Sequence, residues 1–177
     1  MREARHQKAS DGGKKMIEAV IGVWHEGDRA YYVKRSQHME NYPGAWSLFS
    51  IQIDPGELPD ALDLAAAQRL MERMSAERLG GSPIRVTKFL NYSTCSNNPI
   101  GRVVNLRLYA VDCLEPPRLN PLYYEDGAWM TWDEYGHRKG DVLCGSCMRM
   151  WRDYCLRISH LASRVIEPTS ESGRSRP

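Results

Sequence analysis

With 177 residues, 42% apolar and 26% charged side chains, the chain has the size and balance of one soluble globular domain with a sizeable core. Its formal net charge of +2, with Lys, Arg, Asp and Glu interspersed rather than blocked, excludes the basic stripe of a nucleic-acid binder. The longest apolar run, "AVIGVW", falls far short of the ~20 residues of a membrane helix, and "MREARHQKASDGGKK" lacks the apolar core of a secretory signal.

Residues 1–15 are polar, with a Gly pair and a Lys pair, and are expected to form a disordered arm. The folded unit is expected over 16–165, and the Ser- and Pro-rich residues 166–177 as a disordered tail. "MIEAVIGVW" is β-branched and mostly apolar, the pattern of a strand buried on both faces. "HEGDR" reads as a turn and "AYYVKR" as the returning strand of a hairpin. "WSLFSIQI" alternates apolar and polar residues, which predicts one third strand, ended by the turn residues of "DPGE".

From Pro59 or Asp60 the period changes. Leu62, Ala66, Leu70 and Met74 recur at every fourth position, predicting a helix over about 60–79 that "LGG" stops. "IRVTKFLNY" and "RVVNLRLYAV", on either side of the turn-rich "STCSNNPIG", read as an antiparallel pair. The loop "LEPPRLNP" leads to a short strand, "GAWMTW". Cys144, Cys147, Trp151, Tyr154, Ile158, Leu161 and Val165 then alternate spacings of three and four, the stripe of a long helix over about 143–165. The order β, β, β, α, β, β, β, α predicts an α/β domain, a mixed sheet with helices on its faces.

The cysteines number five, an odd count with no small disulfide framework, so a reducing, cytoplasmic setting is the expectation. "CGSC" at 144–147 is a lone C-x-x-C, with Cys155 and His160 as the nearest further candidates for a zinc site. Because Cys144 and Cys147 fall on the apolar stripe, packing as reduced, metal-free core thiols is the expectation.

The element order and local sequences over roughly 16–165 resemble the Nudix superfamily, whose fold is an α/β/α sandwich with a mixed sheet. "YVKRSQHMENYPGAWSL" has the form of the family's strand ending in an Arg-Ser-like pair before a Trp-containing strand. "SIQIDPGE" matches the second half of the family's G-G-x-hydrophobic-E-x-G-E up to Glu57, but Ser50 and Ile51 stand where the family has two glycines. Glycine lets backbone approach a ligand closely, and a β-branched Ile does not. In the family, glutamates at i, i+3 and i+4 of the following helix share one face and bind Mg²⁺ or Mn²⁺ through their oxygens.

Three registers of that helix remain open. Allowing three extra residues after Glu57 gives Arg69, Glu72 and Arg73 at the carboxylate positions; placing the signature Arg at Arg69 gives Leu70, Arg73 and Met74; placing the signature Gly at Gly80 gives Met74, Glu77 and Arg78. Each register keeps at most one carboxylate, and cations there repel a divalent metal. An isopentenyl diphosphate isomerase, a Nudix relative, is excluded, because no Cys followed by His-Pro comes after the Trp strand.

The resemblance implies a hydrolase that cleaves a nucleoside diphosphate linked to another moiety, water attacking phosphorus with a metal neutralising the charge. In that reading Glu72 is the catalytic carboxylate, Glu57 and Glu72 hold Mg²⁺ or Mn²⁺, and Arg35, Arg69 and Arg73 face the substrate. The alternative is a Nudix-fold domain without catalysis that binds a nucleotide-like ligand or a regulatory partner, the arginines meeting the anion directly. The plain reading of Arg69, Glu72 and Arg73 is a solvated face with local ion pairs. Trp46, Trp129 and Trp132 are expected mainly in the core, and Tyr31 and Tyr92 are candidates for stacking on a base. Neither a nucleic-acid nor a membrane partner is expected, and the sequence sets no oligomeric state.

Overall fold

The structure is a computed structural model that describes residues 16–95, 103–138, 148 and 151–157. The arm, the tail, Cys144, Cys147, His160 and most of the "STCSNNPIG" turn lie outside the described residues. The elements are β1 (Ile17–Glu26), β2 (Arg29–Arg35), β3 (Trp46–Ser47), β4 (Phe49–Ile53), α1 (Leu64–Arg78), β5 (Ile84–Cys95), β6 (Val104–Cys113), β7 (Tyr124–Thr131) and α2 (Trp132–Arg138). Residues 151–157 are also helical.

β1 is the centre of a mixed sheet. It runs parallel to β6 and antiparallel to β4, and β5 closes the far side as the antiparallel partner of β6. Its apolar residues divide between two cores. Val20 faces α1 with Phe49, Ile51, Met71 and Tyr109, while Ile21 and Val23 face the opposite side with Leu48, Leu108, Met148 and Trp151. A strand covered on both faces reads as a continuous apolar run rather than an alternating one. Helix, sheet and helix therefore stack as an α/β/α sandwich.

Two strand readings change in detail. The β1–β2 hairpin pairs only at His25↔Ala30 and Glu26↔Arg29. Beyond that point β2 leaves β1 and pairs with β7 and β3. The predicted third strand is two strands: Trp46–Ser47 pairs with β2, and Phe49–Ile53 pairs with β1. Leu48, at the break, is buried in the core opposite α1. Side-chain alternation reports which face a residue takes, and it is silent when a strand exchanges its partner.

α1 starts later than its apolar period suggests. Asp63 is the N-cap, its carboxylate accepting from the Ala66 N–H at 2.9 Å, and a cap of that kind fixes where a helix begins. The packed face is Ala67, Met71, Met74 and Ser75, whereas Leu62 precedes the helix and is 84% exposed. Of the expected face only Met74 is fully buried. The buried polar member, Ser75, donates to the Ser82 carbonyl, so an apolar pattern passes over it. Asp63→Ala is expected to cost about 1 kcal/mol, read as a lower urea midpoint with unchanged m-value; an unchanged midpoint would show that the cap does not hold the helix start.

α2 follows β7 directly. Thr131 Oγ1 accepts from the Glu134 N–H at 3.1 Å, and Glu134 Oε2 accepts from the Thr131 N–H at 2.7 Å. That reciprocal pair is a capping box, legible as T-x-x-E in "TWDE".

Candidate functional site

The residues that resemble the family signature in the sequence lie in the turn after β4 and on the outer face of α1. Gly56, at φ +92°, lets the chain reverse after Ile53, a backbone region that strains other residues. Glu57 closes the turn, its N–H donating to the Asp54 carbonyl at 3.0 Å while its Oε2 accepts from the Asp54 N–H at 3.1 Å. Glu18, a buried carboxylate on β1, accepts from the Gly56 N–H at 2.8 Å and anchors the turn to the sheet.

Arg73 reaches across from α1, its Nη2 lying 3.3 Å from Glu57 Oε2. The Glu57 carboxyl is held below its ordinary pKa, first by the Asp54 backbone N–H and then by Arg73. Arg69, Glu72 and Arg73 are all exposed, whereas Met74 is 0% exposed. Both alternative registers need Met74 at a ligand position, so only the first places its three residues on the solvent face. Within that register Gln68 Nε2 donates to Glu72 Oε1 at 2.8 Å. The same amide binds the free edge of β5, donating to the Ile84 carbonyl at 2.9 Å and accepting from the Val86 N–H at 2.7 Å.

The two positions where the signature has glycines are occupied by packing. The Ser50 N–H donates to Tyr124 Oη at 3.2 Å, and that hydroxyl lies 3.4 Å from the Ser50 carbonyl. Tyr124 is 1% exposed, and Ile51 is buried in the core beneath α1. Close ligand approach to this stretch of backbone is therefore blocked by protein atoms.

Arg35 sits elsewhere. It is 7% exposed and donates Nε to the Asn41 carbonyl at 2.9 Å, while its own backbone pairs with Gly44 and Ala45. Its side chain thus closes the 36–45 loop. Among the described residues, no hydrogen bond or ion pair joins Arg35 or Arg69 to Glu57, Glu72 or Arg73. Sequence reasoning missed Glu18, Gln68 and Tyr124. Glu18 carried a signal, being the lone carboxylate inside the apolar run of β1.

The aromatic candidates divide. Trp46 is buried, and Trp129 and Trp132 are half-buried. Tyr31 is half-buried among Trp24, Phe49 and Trp129, while Tyr92 is exposed beneath the Arg107 guanidinium. Cys113 and Cys155 are thiols whose pKa values burial pushes up to about 12 and about 11.

No protein-family model and no curated protein matches this sequence. Solved structures match its shape. A NUDIX hydrolase from Nitrosomonas europaea aligns with a TM-score of 0.62 at 14% identity, covering 81% of this chain and 90% of that one. This is the Nudix fold. The MutT protein from Methanosarcina mazei Go1 gives 0.61 at 13% identity over 84% of this chain and 96% of that chain. A UDP-X diphosphatase gives 0.58 at 11% identity over 89% and 68% respectively. At such identities the likeness carries the fold alone.

Nudix hydrolases use divalent metals, and the residues of α1 here do not suit one. Among the described residues no group of three His, Cys, Asp or Glu could hold a metal ion. The Arg73 guanidinium lies against Glu57 Oε2, so an incoming cation would meet a resident positive charge. No helix among the described residues is long and apolar enough to cross a membrane.

Proposed function

We propose that this protein uses the Nudix fold to bind a phosphate-bearing, nucleotide-like ligand on the outer face of α1, without the three-carboxylate metal chemistry of its fold relatives. The observation that carries this reading is the 3.3 Å ion pair between Arg73 and Glu57. A cation supplied by the chain stands beside the Glu57 carboxylate of the upstream turn, and Arg69 on the preceding turn of the helix adds a second guanidinium. Planar guanidinium forks suit phosphate oxygens. A reducing compartment fits the thiols Cys113 and Cys155.

A second reading is favoured by the hydrolases and the diphosphatase among the structural neighbours. In it Glu72 is the catalytic carboxylate, and Glu57 and Glu72 bind Mg²⁺ or Mn²⁺ after Arg73 swings away. The substrate is a nucleoside diphosphate linked to another moiety. Thermal shift against a uridine diphosphate sugar and ADP separates the two, since a ligand at about one hundred times its Kd stabilises by about 2.7 kcal/mol. The expected result is an equal shift in EDTA and in Mn²⁺, reduced in Arg69→Ala/Arg73→Ala, with no turnover. Metal-dependent turnover abolished by Glu72→Gln would establish the hydrolase instead.

A further inference from the structure

A groove of about 460 Å³ lies between β7, α2 and the start of β2, away from α1. Its volume is within the ~300–1,000 Å³ usual for small-molecule sites. Three basic side chains line it: Arg29 from β2, and His137 and Arg138 from the end of α2. We infer that this groove is a second anion site, taking the phosphate group of a small ligand independently of α1.

The basic side chains are held in place before any ligand arrives. Arg29 stands opposite Thr131 on the neighbouring strand. Its Nη2 donates to the Trp129 carbonyl at 3.0 Å and lies 3.8 Å from Glu134 Oε2. The Thr131–Glu134 capping box fixes how α2 leaves β7, which sets where the end of the helix falls. His137 Nδ1 lies 2.7 Å from the Asp133 carbonyl. A carbonyl only accepts, so Nδ1 carries a proton, and Nε2 donates to a phosphate oxygen when the ring is the doubly protonated imidazolium. The Arg138 guanidinium sits 5.5 Å from the centroid of the Trp46 ring, a contact that restrains it without occupying its N–H groups.

The charges leave a positive excess. Glu134 is the acidic side chain among the lining residues. Its carboxylate already accepts from the Thr131 N–H, the first cause of its lowered pKa, and faces Arg29. Two guanidiniums and an imidazole therefore confront one engaged carboxylate. A phosphate presents several oxygens to donors arriving from two elements, and bidentate forks match it better than a point charge does. Ala128, half-buried, lines the same groove, offering an apolar contact to whatever the phosphate is attached to. The groove's size suits one small molecule rather than a chain segment.

The probes are inorganic pyrophosphate and ADP, titrated calorimetrically into the full chain in EDTA, with the α1 site removed by Arg69→Ala/Arg73→Ala. One saturable site is expected to persist in that background. Adding Arg138→Ala or His137→Ala is expected to weaken it at least roughly ten-fold, about 1.4 kcal/mol, with Arg138→Lys recovering part of the loss. Arg29 also ties β2 to β7, so the companion variant is Ala128→Glu, which places a carboxylate in the groove and leaves those bonds intact; the same weakening is expected. Loss of all binding in Arg69→Ala/Arg73→Ala would overturn the inference while leaving the α1 reading intact. Affinity unchanged by the groove variants would also overturn it, as would the absence of saturable binding to the unmodified protein.

Discussion

Trp151→Ala is expected to remove roughly 3–5 kcal/mol of stability, the range for deleting a large buried aromatic. Trp151 is 2% exposed and packs on the face of the sheet opposite α1. It stacks on Tyr154 at 5.6 Å and meets the His25 ring at 5.6 Å. Its Nε1 donates to Tyr32 Oη at 2.8 Å, and Tyr32 in turn stacks on Tyr135 of α2 at 4.8 Å. Removing the indole leaves a cavity and deprives a buried hydroxyl of its donor, two costs with the same sign. Against a total of about 5–15 kcal/mol for a domain of this kind, the loss leaves the fold marginal. Trp151→Phe keeps most of the ring and should lose less, which separates packing from the hydrogen bond. Equilibrium urea unfolding is the measurement. A wild-type midpoint for Trp151→Ala would mean that residues 151–157 are not part of the cooperative unit.

The same residue shows what the sequence makes legible. Trp151 lies on a stripe at helical spacing, and its burial follows from that period. The order of strands and helices, apart from α2 and the break between β3 and β4, is legible for the same reason, since each element repeats its own signal. What is not legible depends on partners distant in the chain. Nothing local to "WSLFSIQI" reveals that Trp46–Ser47 pairs with β2 while Phe49–Ile53 pairs with β1. The signature residues Glu57, Arg69, Glu72 and Arg73 can be nominated by spacing. That Arg73 lies on Glu57, 16 residues away, and that Tyr124 lies on Ser50, 74 residues away, are facts of tertiary structure. The start of α1 is hidden for a different reason: the apolar period extends upstream of Asp63, whose carboxylate decides where the helix begins.

The double variant Arg69→Glu/Arg73→Glu is expected to bind Mn²⁺ more tightly than the unmodified protein. The helix would then present carboxylates at i, i+3 and i+4 through residues 69, 72 and 73, the arrangement that converges oxygen ligands on a hard cation. Removing Arg73 also releases Glu57 Oε2 from its 3.3 Å ion pair. Among the described residues Glu72 is held only by the neutral amide of Gln68, at 2.8 Å, a bond a divalent ion can displace. Without metal the new like charges one helical turn apart should destabilise α1 by about 0.2–0.5 kcal/mol per pair, and Mn²⁺ should reverse that loss. The expected readout is a melting temperature that rises more with Mn²⁺ in the variant than in the unmodified protein, with an apparent Kd in the ~10⁻⁴–10⁻³ M range of weak oxygen-ligand sites. Hydrolysis should still be absent or slow, because Tyr124 remains on the Ser50 backbone and Ile51 remains in the core. A double variant indifferent to Mn²⁺ would show that residues 69, 72 and 73 do not converge as the first register requires. Rapid turnover on restoring the carboxylates would show that the packed glycine positions are no barrier, and that Arg69 and Arg73 alone silence the site.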